Sequence, residues 1–217
     1  MGKRSVPSSG SPTLVQELNL SCQGYKLIAG IDEAGRGAIA GPVVAGAVIL
    51  SQSAGSAEWL TSVRDSKELT PSQRHALFDI IVGKAVAVGV GVVGADTIDD
   101  IGIVAATRLA MCQAVEQLAC VPDFLLIDCI GLSELPIKQR SIVKGDKLSF
   151  SIACASIVAK VTRDRIMADL DRRYPGYGLA DHKGYGTERH LAILRELGPS
   201  PIHRRSFAPV KEFVISP

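Results

Sequence analysis

Gly30-Ile31-Asp32-Glu33-Ala34-Gly35-Arg36-Gly37-Ala38-Ile39-Ala40-Gly41-Pro42 is the stretch around which the chain is organised. Leu27, Ile28 and Ala29 lead into it, and an apolar run from Val43 to Leu50 leads out. Two adjacent carboxylates therefore lie between two segments patterned as buried strands. A buried carboxylate is unfavourable without positive compensation, and a bound cation turns the repulsion between neighbours into shared attraction. Adjacent strand residues point to opposite faces, so Asp32 and Glu33 share one site only if the strand ends or bends there. Gly30 before them, and Gly35 and Gly37 after them, are read as permitting that bend. Gly35-Arg36-Gly37 also leaves backbone N–H groups open beside one guanidinium, which suits a phosphate or sugar edge. The plainer alternative is a salt-bridged turn between two strands.

Working outward, the 217 residues, 47% of them hydrophobic, suffice for one sizeable core. A net charge of +2 does not call for a nucleic-acid partner, so any such surface must be a local patch. Cys22, Cys112, Cys120, Cys129 and Cys154 are odd in number and contain no Cys-x-x-Cys. They read as reduced, mainly buried thiols of a cytoplasmic protein, not as a zinc site. Lys3 and Arg4 are followed by no apolar segment, so no signal peptide is expected. No uncharged apolar stretch reaches the ~20 residues of a membrane span. The expectation is a soluble monomer without membrane contact.

Residues 1 to about 12 are rich in Ser, Pro and Gly and are expected to lack order, within a flexible N-terminal segment 1–25. Residues 13–20 can form a short helix, and 51–62 read as a Ser-rich loop. Thr70-Pro71-Ser72-Gln73 predicts a helix start, with the helix running to about Ile81. Lys67 just before it can reach a phosphate; the alternative is a surface lysine paired with Asp65. Val86 to Ala95 predicts a strand. Asp96 opens one long helix to about Ala119. Phe124 to Ile127 predicts a short strand, and Asp128 follows it, at the kind of strand end where open α/β sheets place their chemistry. Lys144-Gly145-Asp146-Lys147 offers a further carboxylate in a basic segment. Ser149 to about Tyr174 is helical after its first residues and ends at Pro175-Gly176. His182-Lys183-Gly184-Tyr185-Gly186-Thr187 is a glycine-bracketed loop whose aromatic can stack on a sugar or base. Thr187 caps a helix to about Leu197, and His203-Arg204-Arg205 is a basic cluster able to contact a nucleic-acid backbone.

Asp32, Glu33, Asp128 and Asp146 thus fall at strand ends or turns, and no Ser-His-Asp or Cys-His arrangement has recognisable spacing. All-oxygen donors suit Mg2+ or Mn2+ rather than zinc. Such a cluster can hold two hard cations about 4 Å apart for an in-line displacement at phosphorus. Acid for the metal, with Arg36, Lys67, Lys183 and the 203–205 cluster for phosphates, is the charge pattern of a nuclease.

Assembled, these motifs resemble the ribonuclease HII family. The resemblance covers roughly residues 26–210. It rests on the 30–37 and 40–43 stretches, Asp65-Ser66-Lys67, Asp128, Lys144-Gly145-Asp146, Ala155 to Lys160, Arg163-Asp164, 182–187 and 203–207. It implies an RNase H-like α/β fold over 26–217: a central five-stranded mixed sheet flanked by helices, with a helical C-terminal extension. It implies cleavage of the RNA strand of RNA–DNA hybrids and incision at ribonucleotides embedded in duplex DNA, leaving 3′-hydroxyl and 5′-phosphate ends. Asp32, Glu33, Asp128 and Asp146 would be the catalytic metal ligands. Gly35, Arg36 and Gly37 would contact the ribonucleotide, Tyr185 would stack on the following deoxyribose, and Lys67 and Lys183 would contact the backbone. The family has a glycine after the third carboxylate, where this chain has Cys129. The competing readings are a DNA-cutting, metal-dependent nuclease of the same fold and a non-catalytic hybrid-binding module.

Overall fold

The computed structural model describes residues 11–51 and 57–214. Its single sheet contains β1 (Ile28–Ala34), β2 (Val43–Ile49), β3 (Ala87–Val93), β4 (Phe124–Asp128) and β5 (Gln139–Ile142), in the order β3-β2-β1-β4-β5. β2 runs antiparallel to both neighbours, whereas β1–β4 and β4–β5 are parallel. This is the mixed five-stranded sheet that the resemblance implied.

Helix α4 (Ile103–Glu116) covers one face; α5 (Phe150–Arg173) and α2 (Pro71–Lys84) cover the other. With both faces covered, β2 reads as an unbroken apolar run and all seven of its residues are buried. The helices lie very close. A Cβ added at Gly30 would sit 2.1 Å from the Ser151 carbonyl carbon, and one at Gly46 would sit 2.5 Å from the Ala155 oxygen. On the opposite face, Gly89 and Gly91 meet the backbone oxygens of Ala114 and Ala110 at 2.0 and 1.9 Å by the same construction. Gly30 is therefore no hinge: it sits in regular pairing with Val48 and Leu126 and lacks a side chain because α5 lies on it.

Two other expectations change, and one strand was not foreseen. The long helix predicted from Asp96 is two, α3 (Ala95–Ile101) and α4, broken where Gly102 turns to φ 79°. Strand β5 was not legible, because a polar Gln-Arg-Ser-Ile edge strand carries no apolar alternation. Within the 1–25 segment expected to be flexible, α1 (Val15–Cys22) is docked. Leu20 is fully buried, and Glu17 accepts hydrogen bonds from Ser149 Oγ, Ser151 N and Ser151 Oγ at the start of α5. Residues 1–10, and 52–56 of the Ser-rich loop, lie outside the described residues.

The Thr70 capping box forms as predicted, and α2 runs to Lys84. After α5 come α6 (Leu179–His182), α7 (Glu188–Leu197) and α8 (Ala208–Val214), the helical extension. Thr187 caps α7 by accepting from His190 N. Among the described residues no helix is long and apolar enough to cross a membrane.

Candidate active site

Strand β1 continues against β2 as far as Ala34, but its other neighbour β4 stops at Asp128. The last parallel pair is Ile31 with Ile127, so beyond it β1 borders an open notch. Asp32 and Glu33 both reach that notch because the sheet narrows there; the strand itself does not bend. Asp32 lies on the α5 side, where Ser156 hydrogen-bonds to its carboxylate, and Ser66 Oγ is 3.0 Å from Ser156 Oγ. Asp128 Oδ1 accepts from Gly145 N at 2.7 Å, which ties β4 to the turn that carries Asp146. One cleft of about 450 Å3 is lined by Asp32, Glu33, Asp128 and Asp146 together with Gly35, Arg36, Gly37, Lys67 and Tyr185. Ser66, Ser156 and Lys160 line it too. These three were not singled out from the sequence, although each lies inside a stretch that carries the family resemblance.

The carboxylates repel one another. Burial, then Glu33 and then Asp128, raise the Asp32 carboxyl well above its ordinary range. Burial raises Glu33 as well; Arg36 opposes this and Asp128 adds to it. Asp146 is raised by burial, Asp65 and Asp128, against Lys67 and Lys147. Glu33 Oε2 is buried with no hydrogen-bond partner among the described residues. This donor set fits a hard divalent cation, which would satisfy the orphaned oxygen and offset the repulsion. Among the described residues no group of three or more His, Cys, Asp or Glu side chains is drawn together closely enough to hold a metal ion as the side chains stand.

The Gly35–Gly37 turn borders the cleft. Gly35 has φ 87°, a conformation that side chains other than glycine resist. No atom lies within 4 Å of where a Gly37 Cβ would be, so the backbone there faces open space. Arg36 forms only a loose, half-exposed pair with Glu33 at 3.7 Å, which is the salt-bridged turn considered as the alternative. Lys67 is not the partner of Asp65: that carboxylate takes Lys147 at 3.4 Å and caps Lys67 N. The Lys67 side chain is left on the cleft. Lys183 lies outside the cleft. With Arg74 and His75 it lines a neighbouring groove that Lys160 joins to the first.

The 203–205 cluster is mostly withdrawn from solvent, so at most one of its three side chains can meet a nucleic acid. His203 and Arg204 are buried and only Arg205 is exposed. Ser200 N donates to His203 Nδ1, so neutral His203 carries its proton on Nε2 and donates it to His190 Nε2 at 3.0 Å. His190 Nδ1 then donates to the Tyr185 carbonyl at 2.9 Å. His182 stacks on His190 with ring centroids 4.0 Å apart. The loop that carries Tyr185 is thus held from behind by His190 and, through it, by His203. Burial, together with the neighbouring imidazoles, lowers both; His203 falls to about 4.

Comparison with known proteins agrees with this geometry. The sequence model described as Ribonuclease HII matches residues 29–210. A Ribonuclease HII of Dehalococcoides mccartyi is 55% identical over 206 residues, covering 95% of this chain and 97% of the relative. One of Geobacter sulfurreducens is 56% identical over 190 residues, covering 88% and 86%. In three dimensions the chain is similar to the ribonuclease H2 of Pyrococcus horikoshii OT3, with a TM-score of 0.72 at 26% identity over 86% of this chain and 96% of that one.

Proposed function

Because the chain belongs to the ribonuclease HII family and is thereby a ribonuclease H, a hydrolytic endonuclease, we propose that it cuts the RNA strand of RNA–DNA hybrids and incises duplex DNA on the 5′ side of embedded ribonucleotides. Water adds to phosphorus, the bond to the upstream 3′ oxygen breaks, and the products carry a 3′-hydroxyl and a 5′-phosphate. One observation carries the reading: four carboxylates from three separate parts of the chain share a cleft with an open Gly-Arg-Gly edge and a half-exposed tyrosine.

Asp32, Glu33, Asp128 and Asp146 would hold two divalent cations, Mg2+ or Mn2+. Bound there, the cations would lower the pKa of water and stabilise charge on the leaving oxygen. The chain's own residues do the rest. Arg36 and Lys67 offer cationic donors to the phosphates that flank the scissile bond, and Lys183 offers one to the backbone further along the neighbouring groove. The Arg36 and Gly37 N–H groups face a ribose, where a 2′-hydroxyl oxygen can accept from them and a deoxyribose has nothing to offer. Tyr185 stacks on the next sugar, which selects the RNA-to-DNA step. Asp32, held by Ser156 and by the Glu33 N–H, and Asp128, held by Gly145, are oriented before substrate arrives.

The test is a pair of otherwise identical duplexes, one all-DNA and one with a single ribonucleotide, in Mg2+ or Mn2+. Cleavage of the second alone is expected. Equal cleavage of both would favour a DNA nuclease of the same fold, and binding without cleavage would favour a hybrid-binding module.

A further inference from the structure

Arg163 and Arg204 are the largest side chains sealed completely inside the protein, and neither forms an ion pair among the described residues. A buried charge needs compensation, and here every hydrogen bond that the two guanidinium groups donate goes to a backbone oxygen. Arg204 donates through Nε to Gly41 O at 3.0 Å and through its two terminal nitrogens to Arg36 O at 2.9 Å and Gly35 O at 2.8 Å. Arg163 donates to Pro42 O at 2.9 Å, Lys183 O at 2.9 Å and Ala40 O at 3.2 Å. Its guanidinium also lies 5.4 Å from the centre of the Tyr185 ring. Gly35 is shaped to receive it: an added Cβ would fall 1.9 Å from Arg163 Nε.

A turn that merely joined β1 to β2 would need no buried charges. The pattern of oxygens gripped gives the reason for them. In a trans peptide the C=O and the N–H point in opposite directions. Drawing Gly35 O inward turns the Arg36 N–H outward, and drawing Arg36 O inward does the same for the Gly37 N–H. Those two N–H groups have no acceptor among the described residues. We infer that Arg204 and Arg163 are positioning residues of the ribonucleotide-reading edge. Arg204 aims the Arg36 and Gly37 N–H groups at the cleft, and Arg163 locks Ala40–Pro42, Lys183 and the Tyr185 ring around them before substrate binds. Burial, with Arg163 alongside, lowers the Arg204 guanidinium to about 9, so it remains charged at neutral pH. Lysine cannot replace either residue, because one ammonium does not reproduce a planar fork reaching three carbonyls. The inference rests on the proposed contact between Gly35–Gly37 and the ribonucleotide.

The experiment compares dissociation constants for an all-DNA duplex and the same duplex with one ribonucleotide, in an Asp128→Asn parent that does not cleave. Arg204→Lys and Arg163→Lys are each added to it, with exposed Arg205→Ala as control. Arg204→Lys and Arg163→Lys should each reduce the discrimination ratio by about tenfold or more. All-DNA affinity should be unchanged, and Arg205→Ala should leave the ratio intact. A purely structural role would lower the melting temperature of the folded variants and leave the ratio where it was; that outcome overturns the inference. If the parent itself binds both duplexes alike, the ribonucleotide-reading role falls and the inference falls with it. A measurement on the unaltered, substrate-free chain needs no variant to fold. The Arg36 and Gly37 amides should show NMR order parameters near 0.85, as for rigid backbone, and values below about 0.6 would overturn the presetting.

Discussion

Asp128 and Gly145 are joined by a hydrogen bond of 2.7 Å from the glycine N–H to the carboxylate Oδ1. Together with the pairing of Asp128 and Ile142 at the ends of β4 and β5, that contact holds the turn carrying Asp146 at the end of β4. The Asp128 carboxylate shares the cleft with Asp32 and Glu33 and repels both.

Asp128→Asn should keep this hydrogen bond, because the asparagine carbonyl accepts equally well. It also removes one charge from a self-repelling set. We expect cleavage to fall by about a hundredfold or more, the scale on which a single electrostatic group acts in catalysis. The melting temperature should be unchanged or raised. Full activity in a gel-based incision assay would exclude Asp128 as a catalytic ligand.

Cys129 follows with φ 65°, a left-handed conformation that side chains other than glycine adopt at a penalty of about 1–2 kcal/mol. The thiol is exposed, so no packing offsets the strain. Cys129→Gly should gain roughly 0.5–1 kcal/mol in urea unfolding, after the larger entropy of glycine in the unfolded chain is subtracted. No gain would mean that the strain is relieved elsewhere.

Gly30→Ala and Gly83→Ala should act in opposite directions. At Gly30 the new methyl meets the α5 backbone, which must shift and carry Ser156 away from Asp32. Destabilisation of about 1–3 kcal/mol and a loss of activity should go together. Gly83 lies in α2 with nothing within 4 Å of the added atom, and alanine there should stabilise by about 0.5–1 kcal/mol. Thermal melts of the two variants decide the matter.

Stability should depend on pH through His203. The unfolded residue binds a proton below its ordinary 6.5, whereas the folded one, buried beside His190, does so only near 4. The unfolded state therefore holds more protons between pH 4 and 6.5, and stability falls as pH drops through that window. The loss from this residue is about 3 kcal/mol when complete. His203→Gln should flatten the slope of unfolding free energy between pH 6.5 and 4.5, as read by urea titration. An unchanged slope would assign the acid sensitivity to other groups.

The sequence by itself determined the elements whose signals are local. The apolar runs around Asp32, the Thr70 capping box, the strand ending at Asp128 and the Thr187 cap each depend on a few neighbouring residues, so each could be read without knowing what lay opposite. The four carboxylates were legible for the same reason: Asp32, Glu33 and Asp128 adjoin apolar strand runs, and Asp146 stands out as a single acid after a glycine in a basic segment. Tertiary structure decided what depends on contacts far along the chain. Gly30 looked like a bend and is a seat for α5. Arg204 looked like a phosphate contact and is buried against the carbonyls of Gly35, Arg36 and Gly41. The polar strand β5 exists because β4 offers it an edge. The physical reason is common to all three. Whether a glycine is a hinge or a close approach, and whether a guanidinium meets solvent or backbone, is settled by packing partners that a linear pattern does not contain.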